Sequence, residues 1–307
     1  MDYAAEVVTK IIEIICMKQR YSPLVLTSYW LGPLFILVSH VGLVLPVFYP
    51  LSWGAWVWIV FLYLIRMLAI TSIYHRLLTH RAYSVPAWVK WIGSLIAASA
   101  GQMGPSWWKG HHVDHHQYVE QQRDPHSSSR GFWWSHYRWL LSRNFLPYRL
   151  PSDIEQDPIL RTIDRLHFLP TLGLAGISFW IGGWEYFGAF WVSTTLLFHG
   201  VALVNSVCHA FGRTPFSTGD RSKNNELVAL LTLGEGWHNL HHALPWSAHQ
   251  GITAVGGEFI YLPDPTFWFI RLLQSLGLAT HVRLPQPEHL STLELSPVIQ
   301  PRKRAKV

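Results

Sequence analysis

The chain of 307 residues is 50% hydrophobic and carries 17 Trp, with a net charge of +6 and only 14% charged residues, against about 25% in ordinary globular domains. That balance indicates an integral membrane protein. It excludes a soluble nucleic-acid-binding module, because the excess charge forms no basic stripe and fits a basic cytoplasmic face against anionic lipid. Two cysteines, Cys16 and Cys208, are too few for a disulfide framework or an iron–sulfur cluster. Cys208 adjoins His209 but is read as a buried apolar residue.

Residues 1–20 carry Asp2, Glu6 and Glu13 and lack the apolar core of a signal peptide. Within them "VVTKIIEIICMK" has the spacing of an amphipathic helix lying on a membrane. A first span is expected over residues 24–47. After the turn at "YPLSW" comes a second, over 54–74, which leads directly to His75. Its one charge, Arg66, costs roughly 2.5–3.5 kcal/mol at a helix centre, so it should face the protein interior and bond to neighbouring helices.

The segment Val85–Gly104 is apolar enough to suggest another crossing. Histidines on either side of it, His80 and His112, have to meet at one site, so it is placed at the interface with Lys90 and its tryptophans at headgroup level. From His116 to about Leu166 the chain is polar, and "DPHSSSRG" reads as a turn. Two further spans, 168–181 and 186–205, are joined by the tight "GGWE". An amphipathic stretch follows around Phe267–Leu276. A single domain over 1–290 then gives way to a basic tail, 291–307, read as disordered.

Neither outer turn of this four-crossing layout, near Pro50 and near Gly183, contains Lys or Arg. By the positive-inside rule both termini and the histidines face the cytoplasm. The expected fold is therefore an all-α integral membrane protein: four transmembrane helices with a cytoplasmic helical cap that holds a histidine-rich two-metal site.

Three motifs carry the chemistry: "HRLLTH" (His75–His80), "WWKGHHVDHH" (Trp107–His116) and "GEGWHNLHH" (Gly234–His242). Residues three and four apart share a helix face, so His112, His115 and His116 form one imidazole patch, and His238, His241 and His242 another. His75 and His80, five apart, fit an α-helical face less well and suggest a helix end. Asn205 and His209 are four apart. Neutral imidazole is the commonest protein metal ligand, and two HxxHH motifs with an HxxxxH outweigh the alternative of ordinary core histidines. Nine imidazoles exceed the four ligands of one tetrahedral ion, so two ions are expected. Imidazoles placed just above the spans suit a substrate with a polar head and a long tail, each buried methylene contributing roughly 0.8 kcal/mol. Iron, copper and zinc all accept such ligands, but only a redox metal activates dioxygen against an unactivated C–H bond. With no GxGxxG, CxxC or haem-attachment motif in the chain, electrons must come from a second protein.

From about Arg66 to Gly251 the chain resembles the membrane fatty acid desaturases, particularly the bacterial delta-9 acyl-CoA or acyl-lipid type related to stearoyl-CoA desaturase. The motifs that carry the resemblance are "YHRLLTHRAY", "HHVDHHQYVEQQRDPHSSSRGFWWSH", "NSVCHAFGRTPF" and "GEGWHNLHHALP". It implies a four-span protein of the bacterial inner membrane whose two iron ions use oxygen and an electron donor of the ferredoxin, rubredoxin or cytochrome b5 type to insert a cis double bond. The ligands it implies are His75, His80, His112, His115, His116, His209, His238, His241 and His242, with Asn205 holding a metal-bound water.

Glu235, Asp114 and Asp124 are candidates to orient imidazoles from behind, with a solvated surface role open for the two aspartates. His111, four before His115, is not excluded by geometry; His126 reads as a turn residue, and His199 and His40 as too remote. Lys109, Arg123, Arg130 and Arg138 are available for a head group, left open between a CoA thioester and a lipid. The basic residues from Lys109 to Arg149 are candidates for donor docking. The rival classes are a histidine-rich membrane hydroxylase of alkanes or lipids, a ferritin-like protein and a non-enzymatic metal-binding protein. A ferritin-like site needs two ExxH pairs, and only Glu235 with His238 fits that pattern.

Overall fold

A computed structural model describes residues 23–255 and 258–295, with side chains from residue 32 onward except at 143. The amphipathic segment expected over 1–20 and the end of the basic tail lie outside the described residues.

Helix α1, Pro23–Val41, continues through a 3-10 turn, Gly42–Val44, and a short helix, Leu45–Phe48. Ser52 then caps α2, Trp53–Ala69, its hydroxyl accepting from Ala55 N. Without a break α2 passes into a π-helical segment, Ile70–Thr79, so that Trp53–Thr79 is one apolar rod of 27 residues, roughly 40 Å of helical rise. Arg66 is fully buried in it and donates to Leu62 O, Ser99 O, Ser193 Oγ and Thr194 Oγ1. The helix-to-helix bonding expected of this arginine is what the structure shows.

The cap begins with α3, Ala87–Ala98, and α4, Pro105–Tyr118. Twelve residues make α3 about 18 Å long, short of the roughly 20 residues a span requires. Lys90 and Trp91 tie it to Asp157 at 2.6 and 3.2 Å. Short helices α5 (Phe132–His136), α6 (Ser152–Gln156) and α7 (Pro158–Arg165) follow, and Asp164 of α7 accepts from Ser106 N at the start of α4.

Helix α8, Phe168–Ser206, contains two non-helical residues, Gly182 and Gly183. In a straight helix Ala175 and Phe190 would stand roughly 22 Å apart, yet both belong to one buried cluster with Leu62 and Trp191. Likewise Trp58 donates to Ser178 while the next residue, Ile59, accepts from Ser193. Both observations require the chain to double back, and Gly183, at φ +59°, supplies the backbone conformation for the reversal. The arms 168–181 and 184–206 therefore run antiparallel against α2. Among the described residues, Trp53–Thr79 and Phe168–Ser206 are the helices long and apolar enough to cross a membrane, and Gly32–Phe48 is a shorter apolar helix.

The remaining elements are α9 (Glu226–Leu231), α10 (His238–Ala243), β1 (Ile252–Val255), β2 (Glu258–Tyr261), α11 (Pro265–Ser275) and α12 (Pro287–Ser291). Two expectations need correction. The fold is not wholly α, because β1 and β2 pair antiparallel with Ile252 opposite Tyr261; these short runs of β-branched and aromatic residues suit a half-buried ladder. Residues 291–295 also do not belong to a free tail, since Ser217 N donates to Glu294 O and Leu295 bridges to Phe216.

Candidate metal centre

The π-helical segment explains the spacing that an α-helix could not. With hydrogen bonds closing five residues apart, His80 N donating to His75 O, residues i and i+5 come to one face, and the His75 and His80 rings lie 4.8 Å apart. Single wide turns of this kind concentrate at functional sites. Helix α4 presents its HxxHH face to this turn, and the short α10 brings the second HxxHH opposite.

The nine expected imidazoles come together in two groups. The first is His75, His80, His112 and His241, whose ligand atoms lie within 4.8 Å of one another. His116 joins it, its Nε2 standing 3.1 Å from His112 Nε2 and 2.8 Å from His241 Nε2. The second is His115, His209, His238 and His242, with His238 Nε2 3.0 Å from the Nε2 atoms of both His209 and His242. Two nitrogens each about 2.1 Å from a shared ion stand about 3.0 Å apart when their bonds meet at a right angle.

The proton inventory supports the same conclusion. A neutral imidazole has one N–H. The Nδ1–H of His115 donates to Asp124 at 3.0 Å, that of His242 to Asp220 at 2.8 Å, and that of His75 to Glu235. Their Nε2 atoms are therefore bare lone pairs, and His115 Nε2 is buried without a partner among the described residues. Burial holds His80, His112, His115, His116, His238 and His241 well below the ordinary imidazole pKa, with neighbouring imidazoles adding to the effect. They are neutral and ready to ligate. Buried, converging lone pairs of this number fit two metal ions, one per group.

Behind the imidazoles lies a ring of polar partners. Burial raises the Glu235 carboxyl, but His75 and Arg76 outweigh it and hold the group below its usual range. Asp220 behaves alike: burial is outweighed by His242 and Ser222, and its carboxyl is held far down. Of the three candidate carboxylates, Glu235 lies against His75 and Asp124 against His115. Asp114 lies elsewhere: it is buried and accepts from Tyr148 N at 3.2 Å, because its position on α4 points away from the face shared by His112, His115 and His116. Sequence reasoning missed Asp220, Gln250 (3.0 Å from His241 Nδ1) and Glu120 (3.6 Å from His209 Nδ1). None has a short spacing to its histidine that could have announced it.

Of the other histidines, His126 forms a third close group with His115 and Asp124, while the rest lie apart from the ligand atoms. His111 faces the carbonyls of Trp107 and Asn144, and burial lowers its pKa to about 4. His126, read as a turn residue, is buried with its ring 4.4 Å from that of His115. His40, His199 and His136 hydrogen-bond in series, ending on Ser206. Cys208 is buried outside both groups, and burial pushes its thiol up.

Two crevices meet beneath the imidazoles, sharing Trp108, His112, Val201 and Asn205. One extends to Trp139, Leu140 and Phe198, the other to Met67, Ile70 and Val204. Asn205 thus faces the space next to His112 and His238. The walls are chiefly apolar, as an alkyl chain requires. An apolar helical bundle that holds two imidazole groups over apolar crevices fits a membrane-associated metal-binding enzyme.

Comparison with known proteins specifies the class. The model of the fatty acid desaturase family matches residues 50–271. The chain is 39% identical over 264 residues to the sn-1 stearoyl-lipid 9-desaturase of Anabaena variabilis, covering 83% of this chain and 94% of that one. It is 36% identical over 270 residues to the sn-2 palmitoyl-lipid 9-desaturase of Nostoc sp. (strain 36), covering 84% and 92%, and 35% identical over 260 residues to the icosanoyl-CoA 5-desaturase of Limnanthes douglasii, covering 81% and 71%. The chain belongs to the fatty acid desaturase family and is an oxidoreductase.

Proposed function

We propose that the protein introduces a cis double bond at the delta-9 position of a long acyl chain carried on a membrane lipid, using two iron ions and dioxygen. The observation that carries this reading is the convergence of two imidazole groups over an apolar channel. The two lipid 9-desaturases that align over more than nine-tenths of their own length support the position and the carrier. The iron ions, when bound, would supply the oxygen-dependent oxidation of the chain.

The protein's own residues set the conditions. His75, His80, His112, His116 and His241 would hold one ion, and His115, His209, His238 and His242 the other. Asn205, facing the channel beside the second group, is placed to hold a water there. Glu235, Asp124 and Asp220 keep the ring protons on Nδ1, so that every Nε2 behind them stays a lone pair. Trp108, Val201 and Val204 exclude bulk water and align the chain.

Removing two hydrogens from the chain while dioxygen becomes two waters takes two further electrons and two protons. A cytoplasmic donor of the ferredoxin, rubredoxin or cytochrome b5 type supplies the electrons and docks on the exposed Arg123, Arg130, Arg138 and Arg149. Lys109 is withdrawn from that surface: it is buried and paired with Asp153 at 2.6 Å. Incubation with a defined phospholipid, reduced donor and oxygen is expected to yield a 9,10-unsaturated acyl chain by mass spectrometry. Product retaining an oxygen atom, or turnover under argon, would overturn the reading.

The four-crossing topology is part of the proposal. Glu185 accepts from Ser52 N at 2.7 Å, which supports both interhelical turns lying at one end of the bundle, opposite the imidazoles. Cysteines introduced near Pro50 and Gly183 should react with an impermeant reagent from outside, and those at the exposed Ser84 and Gln117 from the cytoplasm alone. Labelling of Ser84 and Gln117 from opposite faces would sink this layout.

A further inference from the structure

Between two ligands of the second group, His209 and His238, the chain runs outward through α9 before Glu235 returns to the metal centre beside His75. Residues 225–236 leave and return through one narrow base, where Asn225 N donates to Gly236 O at 2.8 Å. Gly236 makes that closure possible, since a Cβ there would lie 2.0 Å from Ala229 N and 2.5 Å from Asn225 O. The base is polar: Arg213 pairs with Glu226 at 3.1 Å, and Asn225 caps α9 through Val228 N. The tip is the reverse. Leu227 and Leu230 are 65% and 74% exposed, Leu231 is exposed as well, and Phe211 stands exposed beside the base. An outward face of leucines on so short a helix is not a solvent face.

Its depth is fixed by one hydrogen bond. Tyr63, inside the rod Trp53–Thr79, donates its hydroxyl to Leu231 O at 2.7 Å. Gly200 of α8 lets it through, because a Cβ there would lie 2.8 Å from that hydroxyl. Tyr63 sits roughly 18 Å of helical rise below His75, on a stretch where Val60, Phe61 and Leu64 also turn outward. The leucines of α9 thus continue the lipid-facing surface of the rod. On the inner side Val228 and Ala229 are buried, and Thr232 lines the crevice with Met67, Thr71, Asn205 and His238. One face of the finger meets the outside of the bundle and the other walls the channel.

We infer that the finger 225–236 is inserted among the acyl chains of the cytoplasmic leaflet and is the wall past which a lipid acyl chain passes sideways into the channel. This rests on the reading of the protein as a desaturase of membrane lipid. Entry from the leaflet spares the tail a passage through water, whose cost grows with every methylene exposed.

The test uses the full chain in phosphatidylcholine vesicles, with Leu230→Cys in a Cys16→Ser, Cys208→Ala background carrying an environment-sensitive NBD fluorophore. The probe is expected to emit as in hydrocarbon, to be quenched by mid-chain doxyl lipid and to be shielded from iodide. Water-like emission with iodide quenching would overturn the insertion whatever the activity. A Leu227→Asp/Leu230→Asp variant is expected to keep its bound metal and to lose at least tenfold in turnover of vesicle lipid, and Leu227→Phe/Leu230→Phe to retain it. Equal turnover by the aspartate variant would overturn the sideways entry. Should neither the variant nor the unsubstituted protein desaturate lipid, the functional reading fails while the fluorophore still reports the finger.

Discussion

Replacing His238 with alanine is expected to abolish desaturation and to remove one of two bound metal ions, with the protein still folded and inserted. His238 Nε2 stands 3.0 Å from both His209 and His242, so it is the central nitrogen of the second group, and its loss leaves that group with three imidazoles. The first group shares none of these residues and should retain its ion. Asp220→Asn separates support from ligation: it keeps a polar group near His242 Nδ1 but removes the charge, and a loss of about 10–100-fold in metal affinity or turnover follows. His111→Ala, beside the ligands yet turned towards backbone carbonyls, should leave metal content at two. Metal per chain by mass spectrometry, measured with turnover on the same preparations, checks all three. Normal turnover and two ions in His238→Ala would remove the two-group assignment.

What the sequence disclosed and what it withheld divide along one physical line. Local periodicity located the imidazole patches of α4 and α10, because residues three and four apart on a helix are neighbours whatever else the chain does. The HxxxxH pair does stand at a helix end, with His80 as the C-cap of Ile70–Thr79, but its five-residue spacing gave no sign that the helix widens there to bring both rings to one face. Asp114 looked eligible by lying between ligands, and failed because a helix turns it the other way. Asp220 and Gln250 reach His242 and His241 across folded loops, and Glu120 reaches His209 from a distant part of the chain. No interval in the sequence encodes those approaches. His40 and His199, which the sequence left as too remote, bond to each other and to His136, a link that exists only once α1, α5 and α8 are packed together. Hydropathy found the rod and the hairpin of α8, yet it gave no sign of the finger, because a short apolar run between polar flanks has the pattern of an ordinary buried helix.

Arg76→Gln is expected to cost about 3–5 kcal/mol of stability, the range for breaking a buried ion pair by removing one partner, and to weaken metal binding without touching a ligand. Arg76 is fully buried immediately after His75, a proposed ligand of the first group. Its guanidinium donates to Glu235 at 2.9 Å, to Asp264 at 2.8 Å and to Ala248 O at 2.8 Å. Glu235 in turn accepts from His75 Nδ1, and Asp264 caps α11 through Phe267 N while also accepting from Gln250 N. One side chain thus joins the first histidine motif, the third motif and the segment behind it. Glutamine is too short and carries no charge, so two buried carboxylates would lose their cation. Glu235 would rise in pKa, favour its protonated form and cease to fix the His75 tautomer. The expected readouts are a lower midpoint of thermal inactivation and a loss of metal from the first group ahead of the second. Arg76→Leu combined with Glu235→Gln and Asp264→Asn removes the stranded charges and should recover part of the thermal midpoint but not the metal affinity, since the carboxylate behind His75 is then absent. An Arg76→Gln protein with unchanged midpoint and full metal content would show that the network does not position the site.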